Sequence, residues 1–237
     1  MENFSKPHHI EKRQLLDLLF ALIAEVVAFG VCVPFFSLIV KQGPLIQDCV
    51  DVAGEISSPT VGRLVFGIVA FTFGIGLTFL AHFLNKKNKE IFSFASAFAG
   101  GVFLWQSIGE CLWHFQIGGV QIMRIESVQS FPLVIIFIIL LIVFGLFKNK
   151  NFAIWVCVLS FACNWLGHFI TLGTYPFVNG VDWKLWCYTM SAVFGGIATL
   201  LGLFLSLFCC KSKKGIYYAS ILLFIGIGVI YFGFTEA

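Results

Sequence analysis

Long apolar stretches, separated by short polar segments, dominate the chain. Each is about 17–25 residues long, which an α-helix needs to cross the hydrocarbon core of a bilayer. Because backbone polar groups in lipid must be bonded within the chain, such stretches predict helices. The predicted fold class is an all-α integral membrane protein, a seven-helix bundle with spans at 15–40, 62–84, 91–115, 130–147, 152–175, 185–209 and 216–234.

Composition supports this class and excludes others. Hydrophobic residues make up 59% of the 237 positions and charged residues only 11%, whereas soluble domains carry about a quarter charged residues. The pattern therefore predicts a multi-pass membrane protein, with the lipid bilayer as a partner and the plasma membrane as its expected location. The net charge of +3 comes from loop lysines and arginines. No basic patch indicates a nucleic-acid partner.

Basic residues alternate between successive loops, which predicts the orientation. Clusters precede the first span and follow the second, fourth and sixth spans; they are Lys6, Lys12 and Arg13, then Lys86, Lys87 and Lys89, then Lys148 and Lys150, and finally Lys211, Lys213 and Lys214. The other loops hold few basic residues. Since cytoplasmic loops carry the excess of Lys and Arg, the N-terminus is predicted to be cytoplasmic.

The chain divides into four parts under this topology. Residues 1–14 form a cytoplasmic tail, 15–40 the first membrane helix, 41–61 an external loop, and 62–237 a six-helix transport-like bundle. The first helix could instead be a signal peptide with Lys12 and Arg13 in its basic region. It is long for that role and lacks a clear cleavage site, which favours a retained helix. Either interpretation leaves the other six spans with the same orientation.

Two similar glycine pairs indicate close helix packing and an internal repeat. The sequence Ser-Ala-x-x-Gly-Gly occurs at 96–101 and again at 191–196. Small residues let helix backbones approach closely in membranes, so Gly100, Gly101, Gly195 and Gly196 are predicted packing positions. The two copies lie three spans apart, and three helices reverse the orientation. The pattern therefore also predicts a three-helix inverted repeat of the kind found in transporters.

Two pairs of polar residues within the spans could bind a metal ion. Glu110 and His114 are four residues apart and share one helix face, and Asn164 and His168 have the same spacing. Ionisable residues inside a membrane usually mark a substrate or ion path. Carboxylate and imidazole suit zinc, iron(II) or manganese. A ladder of weak partial sites suits transit, so Glu110, His114, His168 and Asn164 are the predicted metal ligands.

Each of these residues also has a structural interpretation. His114 could be an interfacial hydrogen bonder, and Asn164 could join two helices. A second intramembrane carboxylate, Glu25, has no further ligand on its own helix. It could line a cavity or form a salt bridge, and the sequence alone favours neither.

One segment resembles a known transporter family. Phe98-Ala-Gly-Gly-Val-Phe-Leu104, followed by an acidic residue, is similar to the second membrane helix of ZIP-type zinc and iron transporters. The segment from Ser160 to Gly173 resembles that family's fourth helix. The resemblance implies that Glu110 and His114 occupy the metal entrance with the two ligand types exchanged, and that Asn164 and His168 lie in the transport site. A shift of one residue is equally allowed and would place Cys163 and Gly167 on the ligand positions.

The chain also departs from this family. The family's next helix carries a further metal motif, whereas 191–196 holds no ligand, and the family usually has eight helices. The expected function is inward transport of a divalent metal ion, zinc or iron(II), without a tightly bound cofactor or enzymatic activity; a homo-oligomer could form. Two alternatives remain. One is a membrane-embedded metal-dependent hydrolase in which Glu110, His114 and His168 hold the metal, and the other is a degenerate relative that does not transport.

Overall fold

The computed structural model describes residues 12–40, 61–114, 151–168, 185, 188–189 and 191–236. For 35–40, 61–64, 108–114, 165–168, 232 and 236 it describes the backbone alone. The predicted span at 130–147, the tail up to residue 11 and residues 41–60 of the external loop lie outside these ranges. All regular structure within the described ranges is helical.

The described helices follow the predicted apolar stretches closely. They are α1 Lys12–Val40, α2 Val61–Lys86, α3 Glu90–His114, α4 Phe152–His168, α5 Ser191–Cys209 and α6 Lys213–Glu236. Helix α5 is α-helical at Gly196–Phe204 and has a π-turn at each end. Four of them, α1, α2, α5 and α6, contain apolar stretches long enough to cross a membrane. The prediction of a helical membrane protein is confirmed at this level.

Several contacts gather the basic segments at one end of the bundle, which we call the basic end. Lys213 at the start of α6 pairs with Glu90 at the start of α3, with 3.7 Å between Nζ and Oε2. Gln14 in α1 donates a hydrogen bond to the carbonyl oxygen of Cys210, at 3.2 Å. The ammonium of Lys214 lies 5.5 Å from the ring centroid of Phe152 at the start of α4. Helices α1, α3, α4 and α6 therefore all begin at this end, and α2 and α5 end there.

Helix α3 is central and packs closely against its neighbours through two glycines. A Cβ on Gly100 would lie 2.8 Å from Thr78 Oγ1 and 3.0 Å from the Gly74 carbonyl oxygen, both in α2. A Cβ on Gly101 would lie 2.7 Å from Ser160 Cβ and 2.8 Å from the Phe161 nitrogen in α4. These two glycines thus permit contact with two different helices.

Helices α5 and α6 are joined by a short link and also pack closely against each other at glycines. A Cβ on Gly195 would lie 2.9 Å from the Gly226 carbonyl oxygen, and one on Gly202 would lie 2.8 Å from Leu223 Cα. Gly196 packs against no described residue, and its packing role stays a prediction. A Cβ there would meet no described atom within 4 Å, because the residue after a packing glycine points about 100° away around the helix.

Large apolar side chains cover the outside of the bundle. Phe79 is 72% exposed, Leu200 69% and Tyr231 70%. Such a surface would be costly in water but matches the acyl chains of a bilayer. The interior instead contains aromatic contacts, including Phe98 against Phe224 with ring centroids 5.4 Å apart.

Candidate functional site

Glu25 is fully buried near the middle of α1. Its exposed fraction is 0%, and it is the one carboxylate among the described buried residues. It lies thirteen residues beyond Lys12 in the 23-residue apolar stretch Lys12–Pro34, which is about 20 Å along the helix axis. The carboxyl group is therefore at mid-membrane depth, where an ionisable residue is costly and usually functional.

Small residues flank Glu25 on α1, the helix that brings it to Ser220 of α6. Ala21, Ala24 and Ala28 flank Glu25 at helical spacing, and all three are buried. Two further contacts keep the helices in register: Gln14 bonds the Cys210 carbonyl, and the rings of Phe29 and Phe224 are 5.9 Å apart. The local sequence thus brings the carboxyl group of Glu25 against the backbone turn that carries Ser220.

Ser220 provides the hydrogen bond to this carboxyl group. Its Oγ is 2.8 Å from Glu25 Oε1 and also 2.9 Å from the Tyr217 carbonyl oxygen. Oε2 of Glu25 is buried without a hydrogen-bond partner among the described residues. A hydroxyl group has one hydrogen. The Oε1 atom of Glu25 and the carbonyl oxygen of Tyr217 therefore compete for the single hydrogen of Ser220, and the carboxyl group is only partly satisfied.

Cys163 and Asn164 are two further residues buried in the bundle, both on α4. Cys163 is fully buried and close enough to Glu25 for the two groups to interact electrostatically. The Asn164 amide nitrogen donates to the Ser160 carbonyl oxygen at 2.8 Å, and the Ser160 hydroxyl donates to the Phe98 carbonyl oxygen at 2.9 Å. Asn164 is therefore held against its own helix, and an ion would have to bind its amide oxygen.

Of the four predicted metal ligands, Asn164 is the one whose side chain is described. The side chains of Glu110, His114 and His168 lie outside the described part of the structure, although their backbones are helical. In the described residues, no group of three His, Cys, Asp or Glu side chains is arranged to hold a metal. The metal ladder from Glu110 to Asn164 stays a prediction.

The helix faces on which positions 110 and 168 lie indicate whether the two residues can share a metal site. Gly101 lies on the face of α3 that touches α4. Position 110 is nine residues further, or two and a half turns, and so lies on the opposite face. Position 168 is about three turns beyond Cys157, a contact of Gly101, and so lies on the α4 face towards α3. A shared site for residues 110 and 168 would require a departure from this regular geometry.

Glu25 is the residue whose importance the sequence did not establish. The available signal was a carboxylate in the middle of an apolar run. Its partner, Ser220, is 195 residues away in sequence, and serine in an apolar helix is too common to indicate a contact by itself.

Comparisons with known proteins assign the chain to no family. No protein-family model matches the chain, and neither the search of curated proteins nor that of solved structures found a match. The resemblance of residues 98–104 to ZIP transporters therefore stays a prediction based on those residues.

Proposed function

We propose that this chain is a membrane transporter that moves a divalent cation, zinc or iron(II), from the external side towards the cytosol. In this proposal Glu25 binds the cation transiently in the middle of the bundle. A seven-helix topology with a cytoplasmic N-terminus, an inverted repeat and a location in the plasma membrane belong to the same proposal. The contacts of α1 with α3 and α6 support its role as a retained helix of the bundle.

The burial of Glu25 is the single observation that carries this proposal. No lysine or arginine of the described residues pairs with it, and its bonded partner is the neutral hydroxyl of Ser220. An unpaired carboxyl group at this depth destabilises the bundle relative to an apolar residue of similar size. A carboxylate that binds a passing cation accounts for its presence, whereas helix packing alone does not require one.

The positions of the polar groups along the bundle axis give the order in which a transported ion would meet them. Ser160 is level with Phe98, which contacts Phe224, and Phe224 contacts Phe29. Cys163 and Asn164 lie about one turn beyond Ser160, away from the basic end. Glu25 lies about one turn from Phe29, towards the basic end. An ion moving inward would therefore meet an amide oxygen, a thiol and then a carboxylate, each a weak partial site that suits transit.

Zinc uptake into proteoliposomes tests this function. We expect Glu25→Gln to abolish uptake, because the amide keeps the shape of the side chain but cannot provide a negative charge. The matched control is Glu90→Gln, the same change at a carboxylate that is 34% exposed and pairs with Lys213 at the basic end. This control should transport at nearly the wild-type rate. Wild-type uptake by Glu25→Gln would refute the role of Glu25.

Two further measurements separate the remaining alternatives. Loss of uptake in Glu110→Ala would support the predicted external entrance, whereas normal uptake would restrict the path to the Glu25 side of the bundle. Zinc that stays bound to the purified protein through dialysis would favour the hydrolase alternative. Rapid exchange favours transport.

A further inference from the structure

A groove opens between α4, α5 and α6 at the basic end. Its volume is about 430 Å³. Its wall is formed by Leu159 of α4, by residues of α5 and α6 that include Leu205 and Leu222, and by the link between α5 and α6, which consists of Cys210, Lys211 and Ser212. It is separate from the Glu25 site, and the proposed transport function does not use it.

The two ends of the groove differ in chemistry. Leu159, Leu205 and Leu222 line its deep end, and Leu222 lies seven residues beyond Gly215, or about 10 Å along α6. Lys211 and Ser212 line its mouth, and both are exposed. The groove therefore presents a charged and hydroxyl-bearing rim above an apolar channel that enters the membrane-spanning part of the bundle.

The lysines beside the groove have different environments. Lys213 pairs with Glu90, and Lys214 lies over the ring of Phe152. Lys211 instead lines the mouth itself. Its side chain supplies a positive charge at the mouth of the apolar channel.

We propose that this groove binds an anionic phospholipid of the leaflet at the basic end. The ammonium of Lys211 and the hydroxyl of Ser212 would contact the headgroup phosphate, and one acyl chain would lie along Leu159, Leu205 and Leu222. Basic pockets between membrane helices on the cytoplasmic side are suited to such headgroups. A soluble phosphate compound would satisfy Lys211 but leave the apolar channel without a partner, so charge and hydrophobicity together favour a lipid.

Native mass spectrometry of the full chain from mixed bilayers tests this proposal. Nanodiscs would contain equal amounts of phosphatidylglycerol and phosphatidylcholine, and the lipids that remain bound would be counted. We expect retention of phosphatidylglycerol in preference to phosphatidylcholine. A lysine near anionic lipid contributes about 1 kcal/mol, so Lys211→Ser should lower phosphatidylglycerol retention about fivefold. Cys209→Trp, at an exposed position of the wall, should lower retention by filling the groove.

Lys87→Ser is the matched control, because Lys87 lies at the same end of the bundle but over the ring of Phe83, outside the groove. Its phosphatidylglycerol retention should equal that of the wild type. Equal losses in the two lysine variants, or equal retention of the two lipids by the wild type, would overturn the proposal. Displacement of the lipid by millimolar inorganic phosphate would also overturn it, because the site would then recognise the phosphate alone.

Discussion

Replacing Gly101 with alanine should loosen the contact between α3 and α4. The added Cβ would overlap the carbonyl oxygen of Cys157 and would lie 2.7 Å from Ser160 Cβ and 2.8 Å from the Phe161 nitrogen. Two of these three atoms belong to the backbone and cannot rotate away. The helices must therefore separate, and the separation also moves Cys163 and Asn164, which lie on the next turn of α4.

The size of the effect follows from two opposing contributions. Overpacking of an interior costs about 1–3 kcal/mol, and backbone contacts place Gly101→Ala in the upper part of that range. Alanine in a helix interior is favoured over glycine by about 1 kcal/mol. The net loss in unfolding free energy is then about 1–2 kcal/mol. For a chain of this length, each kcal/mol lowers Tm by about 2–4 °C, so a decrease of about 2–8 °C is expected.

Thermal unfolding of the detergent-purified protein measures this decrease, and the chain contains a matched control. Gly196→Ala makes the same chemical change in the second Gly-Gly pair, at a position where a Cβ meets no described atom within 4 Å. Its Tm should stay equal or rise by a few degrees, because helix propensity acts without a clash. Equal Tm changes in the two variants would show that the α3–α4 contact at Gly101 is looser than the structure indicates.

Three other predictions concern the interior carboxyl group and the link between α5 and α6. Ser220→Ala should lower the unfolding free energy by about 1–3 kcal/mol, because Glu25 loses its hydrogen-bond partner; chemical denaturation would detect this, and Ser220→Thr should restore most of it. Burial raises the pKa of the Cys210 thiol, while Cys209 is exposed. Because the thiolate is the reactive form, maleimide should label Cys209 first, with Cys210 following only as the pH rises; labelling of Cys210 first, read by peptide mass spectrometry, would contradict this. Acidifying the external medium should slow zinc uptake in the proteoliposomes, since protons compete with metal for carboxylate and thiol ligands; uptake that rises on acidification would contradict metal binding at these groups.

The helices could be predicted from the sequence because membrane insertion imposes a simple constraint. An apolar run of sufficient length is helical in lipid whatever its neighbours are, so the start of α4 at Phe152 and the end of α5 at Cys209 agree with the predicted spans. The gathering of the lysines at one end also follows from local information. Loop charge depends on the membrane side and on no particular helix contact.

The interior site could not be predicted in the same way, because it depends on which helix faces meet. Glu25 and Ser220 come together through the register of α1 against α6, which the Phe29–Phe224 contact shares and which no local pattern specifies. The same limit affects Gly196. It shares the Gly-Gly motif with Gly195, yet only Gly195 lies on the face towards α6.

Charge balance limits which cations the Glu25 carboxylate can bind. One carboxylate neutralises one positive charge, so a single proton is enough to neutralise the buried group, whose Oε1 accepts the hydrogen bond of Ser220. A divalent ion in the same dry interior would leave an excess positive charge unless a second group lost a proton. Among the described residues, Cys163 is an ionisable group whose charge interacts with that of Glu25, and thiolate is a preferred ligand of zinc. In the proposed transport, zinc binding at Glu25 therefore depends on proton release from Glu25 itself and from Cys163, which the ion meets first. Cys163→Ser should accordingly impair zinc uptake more than uptake of manganese, which binds well to oxygen ligands alone.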